Sequence, residues 1–303
     1  MNKKLIVIVG PTAVGKTAVA IYLAQHFGTE VISADSRQIY KELEIGTAKP
    51  TKSELGLVKH HFVSIKSITE DYDAGHFGRQ ALELIHELFK KQNHVILCGG
   101  SGLYVKAVIE GFDDMPVVAE GVRKNIIKVY EEKGLAWLQQ QVEASDPDYF
   151  SIVDQKNPQR LMRALELNYS TGQPLNRFRK KGKLNHSFEI VKIGLELDRE
   201  ELYKRIDARM DAMIKAGLFD EALHFSSQRE HNALQTVGYQ EIFGYFDGRY
   251  DKEEAIRLLK RNSRRYAKRQ MTWFKRDKEI KWFRPNDSDS ILEMIQNSTS
   301  KIK

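Results

Sequence analysis

Cysteine is nearly absent from this 303-residue chain: Cys98 is the single one, and it sits in an apolar run. That excludes a disulfide framework and a cysteine metal cluster, and leaves Cys98 as a small core residue. No apolar stretch approaches the ~18 residues a membrane helix requires, so no membrane association is expected. Residues Met1 to Lys4 lead straight into a strand-like run without the apolar core and cleavage site of a secretory signal, so the expected compartment is the cytoplasm. Internal repeats and low-complexity linkers are missing too, which removes solenoids, and only the polar tail 296–303 is expected to fray. One further absence concerns chemistry. Nucleotide hydrolases usually hold magnesium with an acid at the tip of a second apolar strand. Here the run HVILC at 94–98 passes into Gly99, Gly100, Ser101 and Gly102 with no acid at its tip.

Hydrophobic residues make up 41% of the chain and charged residues 29%, enough apolar material for a large core in one extended domain or two. Residues 10–17 read GPTAVGKT, a full G-x-x-x-x-G-K-[ST] phosphate-binding loop. It follows the run Leu5–Val9 and opens a helix of small and apolar residues, Ala18 to Phe27. Gly10 and Gly15 let the backbone turn its N–H groups toward one anion; Lys16 adds a point charge and Thr17 a hydroxyl for a magnesium ion. The run at 30–34 ends in Asp35, which opens the string DSRQIY. A phosphate cradle, a carboxylate and a Gly-rich loop bearing a hydroxyl thus end three strands and predict a site at the carboxyl edge of a parallel sheet. Capping a helix or holding magnesium are alternative uses of Asp35, and capping is one for Ser101.

Strand-like runs at 4–9, 30–34, 61–65 and 94–98 alternate with helical patterns at 16–27 and 74–91, which predicts an α/β fold with a parallel sheet and helices on both faces. From about 117 to 186 the patterns are helical only. Residues 188–197 return as a strand, helices follow over 199–216, 219–227, 239–246 and 252–274, and 279–283 reads as a last short strand. The predicted organisation is a core of 1–111 and 187–303 interrupted by an all-helical insertion, 112–186, comparable to a mobile lid.

The net charge of +7 is unevenly placed. Residues 257–281 carry eleven Lys or Arg against Asp277 and Glu279, a local +9, with Tyr266, Trp273 and Phe274 interleaved. Residues 160–183 carry seven against Glu166 alone. Two basic blocks in an otherwise balanced chain point to a polyanion partner, with a solvated helix face as the plainer reading.

These strings, taken with GTAKP (46–50), GGSGLY (99–104), NPQRLMRALE (157–166), RIDAR (205–209), VGY (237–239) and AKRQ with Trp273 and Phe274, resemble the bacterial tRNA dimethylallyltransferase family, also called tRNA isopentenyltransferases. The resemblance runs from residue 10 to 274 in the family's order. Ser101 stands where the family usually has Thr, Thr236 where it has Ala, and HFVS at 61–64 where it has a Leu-Ile-Asp run. The resemblance implies transfer of a dimethylallyl group from dimethylallyl diphosphate to the exocyclic amine of the adenosine 3′ of a tRNA anticodon. The loop then cradles a leaving diphosphate and not ATP. It assigns that diphosphate to Gly10, Pro11, Thr12, Ala13, Val14, Gly15, Lys16, Thr17 and Arg209, with Mg²⁺ at Thr17. Asp35 becomes the general base, and Thr12, Lys16, Ser101 and Arg209 complete the catalytic set. For the tRNA anticodon stem-loop it implies Asp35, Ser36, Arg37, Gln38 and Ser101 in the core. To these it adds Arg123, Gln159, Arg160, Leu161, Met162 and Arg163 in the insertion, and the charge of the basic block adds Arg264 and Lys268. A monomer is expected. The alternatives are a P-loop nucleoside, nucleotide or metabolite kinase, for which the basic block has no use, and a non-enzymatic RNA-binding protein, against which Lys16, Thr17 and Asp35 speak together.

Overall fold

Every residue of the first strand is buried, which suits a strand covered on both faces inside a parallel sheet. The computed structural model describes residues 3–113, 115–118, 121–179, 182 and 184–298. In chain order the elements are β1 (Lys4–Val9), α1 (Lys16–Phe27), β2 (Val31–Ser33), α2 (Lys52–Leu57), β3 (His60–His61), α3 (Ala74–Leu88), β4 (His94–Gly99), α4 (Gly102–Ile109), α5 (Val122–Ser145), α6 (Pro147–Ile152), α7 (Pro158–Thr171), β5 (Glu189–Leu195), α8 (Arg199–Lys215), α9 (Leu218–His224), α10 (Tyr239–Phe246), α11 (Lys252–Phe274), β6 (Lys281–Phe283) and α12 (Ser288–Asn297). The six strands form one sheet in the order β3-β2-β4-β1-β5-β6, and all paired strands are parallel. Because β4 lies between β2 and β1, the loops after β1, β2 and β4 emerge side by side at the carboxyl edge, where α/β sheets bind ligands.

The helices bury opposite faces of the sheet. One hydrophobic cluster joins Leu5, Val7 and Val9 to Phe77, Ala81 and Ile85 of α3; the other joins Ile6 and Ile8 to Leu23 of α1, Ile206 of α8 and Ile291 of α12. Lys4 stays buried because its ammonium donates to the carbonyls of Ile295 (2.8 Å) and Ser298 (2.6 Å), capping the end of α12. Among the described residues no helix is long and apolar enough to cross a membrane.

The chain divides into two compact units, 1–111 with 185–303, and 112–184. The second boundary falls two residues before the predicted one, since His186 hydrogen-bonds the Ile109 carbonyl at 2.7 Å and lies against the Phe188 ring. The smaller unit holds α5, α6 and α7 around Ile126, Leu138, Val142, Leu161 and Leu165, and α5 bends at Gly134 (φ 72°). In its basic loop, Lys180, Lys181 and Lys183 lie outside the described residues, as do residues 299–303 of the polar tail.

Two expectations are corrected. The run at 61–65 is a strand only at His60–His61, because Phe62 (φ 60°) and Ser64 (φ 54°) take left-handed backbone that ends the ladder. The last helix has no counterpart among the predicted elements: α12 buries only Ile291 and Ile295, one turn apart, too short a stripe to stand out in the sequence.

Candidate active site

The phosphate loop is shaped by backbone conformations few residues tolerate. Gly10 has φ 152°, and a Cβ there would come within 2.6 Å of the Leu195 carbonyl oxygen of β5, so only glycine fits. Ala13 (φ 63°) and Gly15 (φ 106°) are left-handed, which curls the loop's N–H groups into a concave anion nest at the start of α1. Lys16 bends back over the loop, its ammonium donating to the carbonyls of Gly10 (3.0 Å) and Pro11 (2.8 Å). Burial lowers its pKa to about 8, against the raising effects of Cys98 and Asp35.

After β2, Asp35 forms an Asx turn: Oδ1 accepts from the Arg37 N–H at 2.9 Å and from the Gln38 N–H at 3.4 Å. No helix begins there, so Asp35 is not the helix cap that its residue type allows. After β4, Ser101 occupies the N-cap position of α4 but makes no cap hydrogen bond. Its hydroxyl accepts from the Ser36 N–H at 2.9 Å and donates to the Ser36 hydroxyl at 3.2 Å, joining the loops of β2 and β4. A third support is the carbonyl of Ala48, in the GTAKP string, which accepts from Arg209 (3.1 Å) and Gln38 (3.2 Å).

Two cavities open on this edge. The larger, about 530 Å³, is lined by Thr12, Ala13, Gly15, Lys16 and Thr17 and reaches Gln38, His60 and Cys98. The smaller, about 110 Å³, has apolar walls from Ile206, Met210, Met213 and Val237, with Arg37 at one side. Thr12, Ala13, Asp35, Thr47, Ala48, Arg209 and Tyr266 line both and form the boundary they share, the partition. An anion cradle, a buried-edge carboxylate and an apolar recess therefore share one wall. Cys98 is buried with its Sγ 3.8 Å from the Lys16 carbonyl, and burial pushes its thiol up to about 12. His60 Nδ1 pairs with the Val58 carbonyl at 2.8 Å, while Nε2 has no partner among the described residues.

The sequence-predicted residues divide accordingly. Pro11 and Val14 have buried side chains, so any contribution to anion binding is through the main chain. In the smaller unit, Glu166 is 2% exposed and holds two arginines, Arg123 from α5 and Arg163 from α7 (3.2 Å), while Gln159 accepts from Arg123 at 3.0 Å. Arg160 is exposed beside them. Leu161 and Met162 drop out of the RNA-facing set: they are 0% and 3% exposed in the core of that unit. Along α11 the basic block splits. Arg257, Lys260 and Arg264 pair with Glu254, Asp211 and Asp207, whereas Arg265, Lys268, Arg269 and Arg276 form no ion pair among the described residues and line a groove of about 480 Å³ with Trp273. Sequence reasoning missed Tyr266 and Gln270 as site residues. They lie four apart on α11, a helical spacing that reads as core or basic face until the sheet edge is in place.

Fold and site define a P-loop α/β protein that sets an anion cradle against a carboxylate. The family model for IPP transferase matches residues 38–277, and the chain belongs to that family. It is 51% identical over 296 residues to the tRNA dimethylallyltransferase of Cytophaga hutchinsonii, covering 98% of this chain and 97% of that protein. The crystal structure of the full-length tRNA isopentenylpyrophosphate transferase from Bacillus halodurans superposes with a TM-score of 0.70 at 38% identity, over 97% of this chain and 96% of that one. A eukaryotic dimethylallyltransferase seen acting on tRNA gives a TM-score of 0.81 at 25% identity, over 99% of this chain and 81% of that one.

Proposed function

We propose that this protein transfers a dimethylallyl group from dimethylallyl diphosphate to the exocyclic amine of the adenosine immediately 3′ of a tRNA anticodon, releasing diphosphate. The observation that carries this reading is the partition: Asp35 lies in the wall between the phosphate-loop cavity and the apolar recess. A donor held by its diphosphate on one side and an acceptor base on the other would then meet at one carboxylate.

In the reaction the allylic carbon–oxygen bond breaks, and its electron pair goes to the diphosphate. The adenine nitrogen forms the new bond to carbon, and its proton goes to the Asp35 carboxylate. Lys16, Arg209 and the loop N–H groups would stabilise the charge developing on the diphosphate oxygens, which is electrostatic stabilisation of the transition state. Thr12 stands at the partition beside the donor, and Ser101 holds the acceptor-side loop. A magnesium ion would be held at the Thr17 hydroxyl, which lines the phosphate-loop cavity, with substrate phosphate oxygens and waters as its other ligands. Bound there, the ion would add positive charge to the leaving diphosphate.

The acceptor base must leave its stack to reach the partition, so the RNA is engaged as an opened loop. Arg37 lines the recess proposed for the acceptor, Ser36 precedes it on the same loop, and Gln38 would reach the RNA from the phosphate-loop cavity. Lys268 with its neighbours in the α11 groove, and Arg123, Gln159, Arg160 and Arg163 in the smaller unit, supply phosphate and stacking contacts. We place the protein in the cytoplasm as a monomer. The test is incubation of anticodon-unmodified tRNA with labelled dimethylallyl diphosphate or with labelled ATP; label on RNA from the first alone is expected, and label from ATP would make this a kinase.

A further inference from the structure

Gln270 takes no part in the bond changes of the transfer, yet it is among the most tightly engaged polar side chains of the sheet edge. It is 6% exposed on α11. Its Oε1 accepts from the Thr12 N–H at 2.8 Å, and its Nε2 donates to the Gly100 carbonyl at 2.9 Å. Thr12 belongs to the phosphate loop after β1, and Gly100 to the loop after β4. The contact is close: a Cβ on Gly100 would lie 2.3 Å from Nε2, so the glycine loop closes directly on the amide. The next residue, Ser101, holds the Ser36 N–H, and Ser36 follows Asp35. A connected path runs from donor cradle to Gln270, to the Gly100–Ser101 loop, to the carboxylate loop.

Side-chain chemistry explains why an amide stands here. One loop presents an N–H and the other a C=O, so the bridging group must accept at one end and donate at the other. Glutamate would set a carboxylate oxygen against the Gly100 carbonyl; methionine would keep the length and lose both bonds. The bond to Thr12 also removes one loop N–H from those free to meet an anion, so Gln270 selects which face of the cradle is presented.

We infer that Gln270 is a positioning residue that fixes the spacing between the diphosphate cradle and the acceptor-side carboxylate, and so governs the rate of transfer more than the affinity for either substrate. This rests on the transferase reading above. A displacement of about 1 Å between reacting groups can cost ~10²-fold in rate, so a slackened bridge is felt in chemistry first.

The test compares wild type, Gln270→Met, Gln270→Glu and Gly100→Ala, using dimethylallyl diphosphate and an anticodon stem-loop RNA. Single-turnover transfer, separate dissociation constants for the two substrates, thermal unfolding and hydrogen exchange at the Thr12 amide are measured. The inference expects transfer to fall by about 10- to 100-fold in each variant while both dissociation constants stay within about threefold, with faster exchange at Thr12 in Gln270→Met. Gly100→Ala strains the same bridge from its other end and keeps the test decisive if one Gln270 variant folds poorly. Transfer within about threefold of wild type in folded Gln270→Met, or a rate loss matched by an equal loss of substrate affinity, overturns the positioning role. If wild type itself transfers no dimethylallyl group, the transferase reading fails. The bridge is then judged by exchange alone, and unchanged protection at Thr12 in Gln270→Met overturns it.

Discussion

Asp35 and Ser101 hold the same short segment from two sides: Ser101 Oγ accepts the Ser36 N–H and Asp35 Oδ1 accepts the Arg37 N–H, each at 2.9 Å. One carboxylate oxygen is thereby committed to the backbone. Asp35→Asn keeps an oxygen for the turn and loses the base. We expect it to lower single-turnover transfer by roughly 10²-fold or more while tRNA affinity changes only a few-fold. A normal single-turnover rate would remove Asp35 from the mechanism.

Lys16 sets a pH limit. Burial holds its pKa near 8, below the ordinary 10.5, so the free site loses its charge as pH rises through 8. Donor binding favours the ammonium, and kcat/KM for the donor is expected to fall about tenfold per pH unit above that point. Stability responds in the opposite sense. The unfolded chain binds the proton more tightly, so burying the charge is a cost at neutral pH that is relieved between about 8 and 10.5. Lys16→Arg should push the kinetic break to higher pH; a break that stays near 8 would assign it to another group.

The two halves of α11 should behave differently toward salt. Reversing Lys268 and Arg269 to Glu is expected to flatten the dependence of tRNA affinity on salt, by about 0.7 in log–log slope for each single-strand phosphate that is no longer neutralised. Arg264→Glu instead breaks the 2.7 Å pair with Asp207, and its expected effect is on thermal stability. Equal slopes in all three proteins would mean that the groove is a solvated face.

Cys98 should resist alkylation. Its thiol is buried and pushed up to about 12, leaving almost no thiolate at pH 8. Mass spectrometry after iodoacetamide treatment of the folded protein is expected to find Cys98 unmodified, and urea should expose it. Rapid labelling under native conditions would show that the cavity floor opens.

In the smaller unit, Arg123→Leu with Arg163→Leu strands a carboxylate that is 2% exposed. The double variant should be destabilised by about 3–5 kcal/mol, and either single variant by clearly less. Chemical denaturation of all three proteins checks this, and additive small losses would show Glu166 to be hydrated.

Continuous apolar runs make β1 and β4 readable, and the phosphate loop marks the sheet edge, because these signals are local. Asp35 is readable for the same reason: it stands at the end of a strand. What local pattern does not show is partnership. Arg264 and Lys268 are four residues apart in one basic run, yet Asp207 on α8 neutralises the first and nothing among the described residues neutralises the second. Leu161 and Met162 sit inside a string that resembles the family's pattern and nevertheless face a core. β3 shrinks to two residues because φ at Phe62 and Ser64 is not written in hydrophobicity.

The bond between Thr12 and Gln270 joins residues 258 positions apart. On a ribosome the phosphate loop is made well before its partner, which follows only after 258 more residues. At ~5–20 residues per second, the cradle waits for tens of seconds at the slower end before its bridge exists. Over that stretch of synthesis a nascent chain carries the loop sequence but no finished reaction centre. Truncation before residue 270 removes the bridge together with the end of α11, β6 and α12, and is expected to abolish transfer.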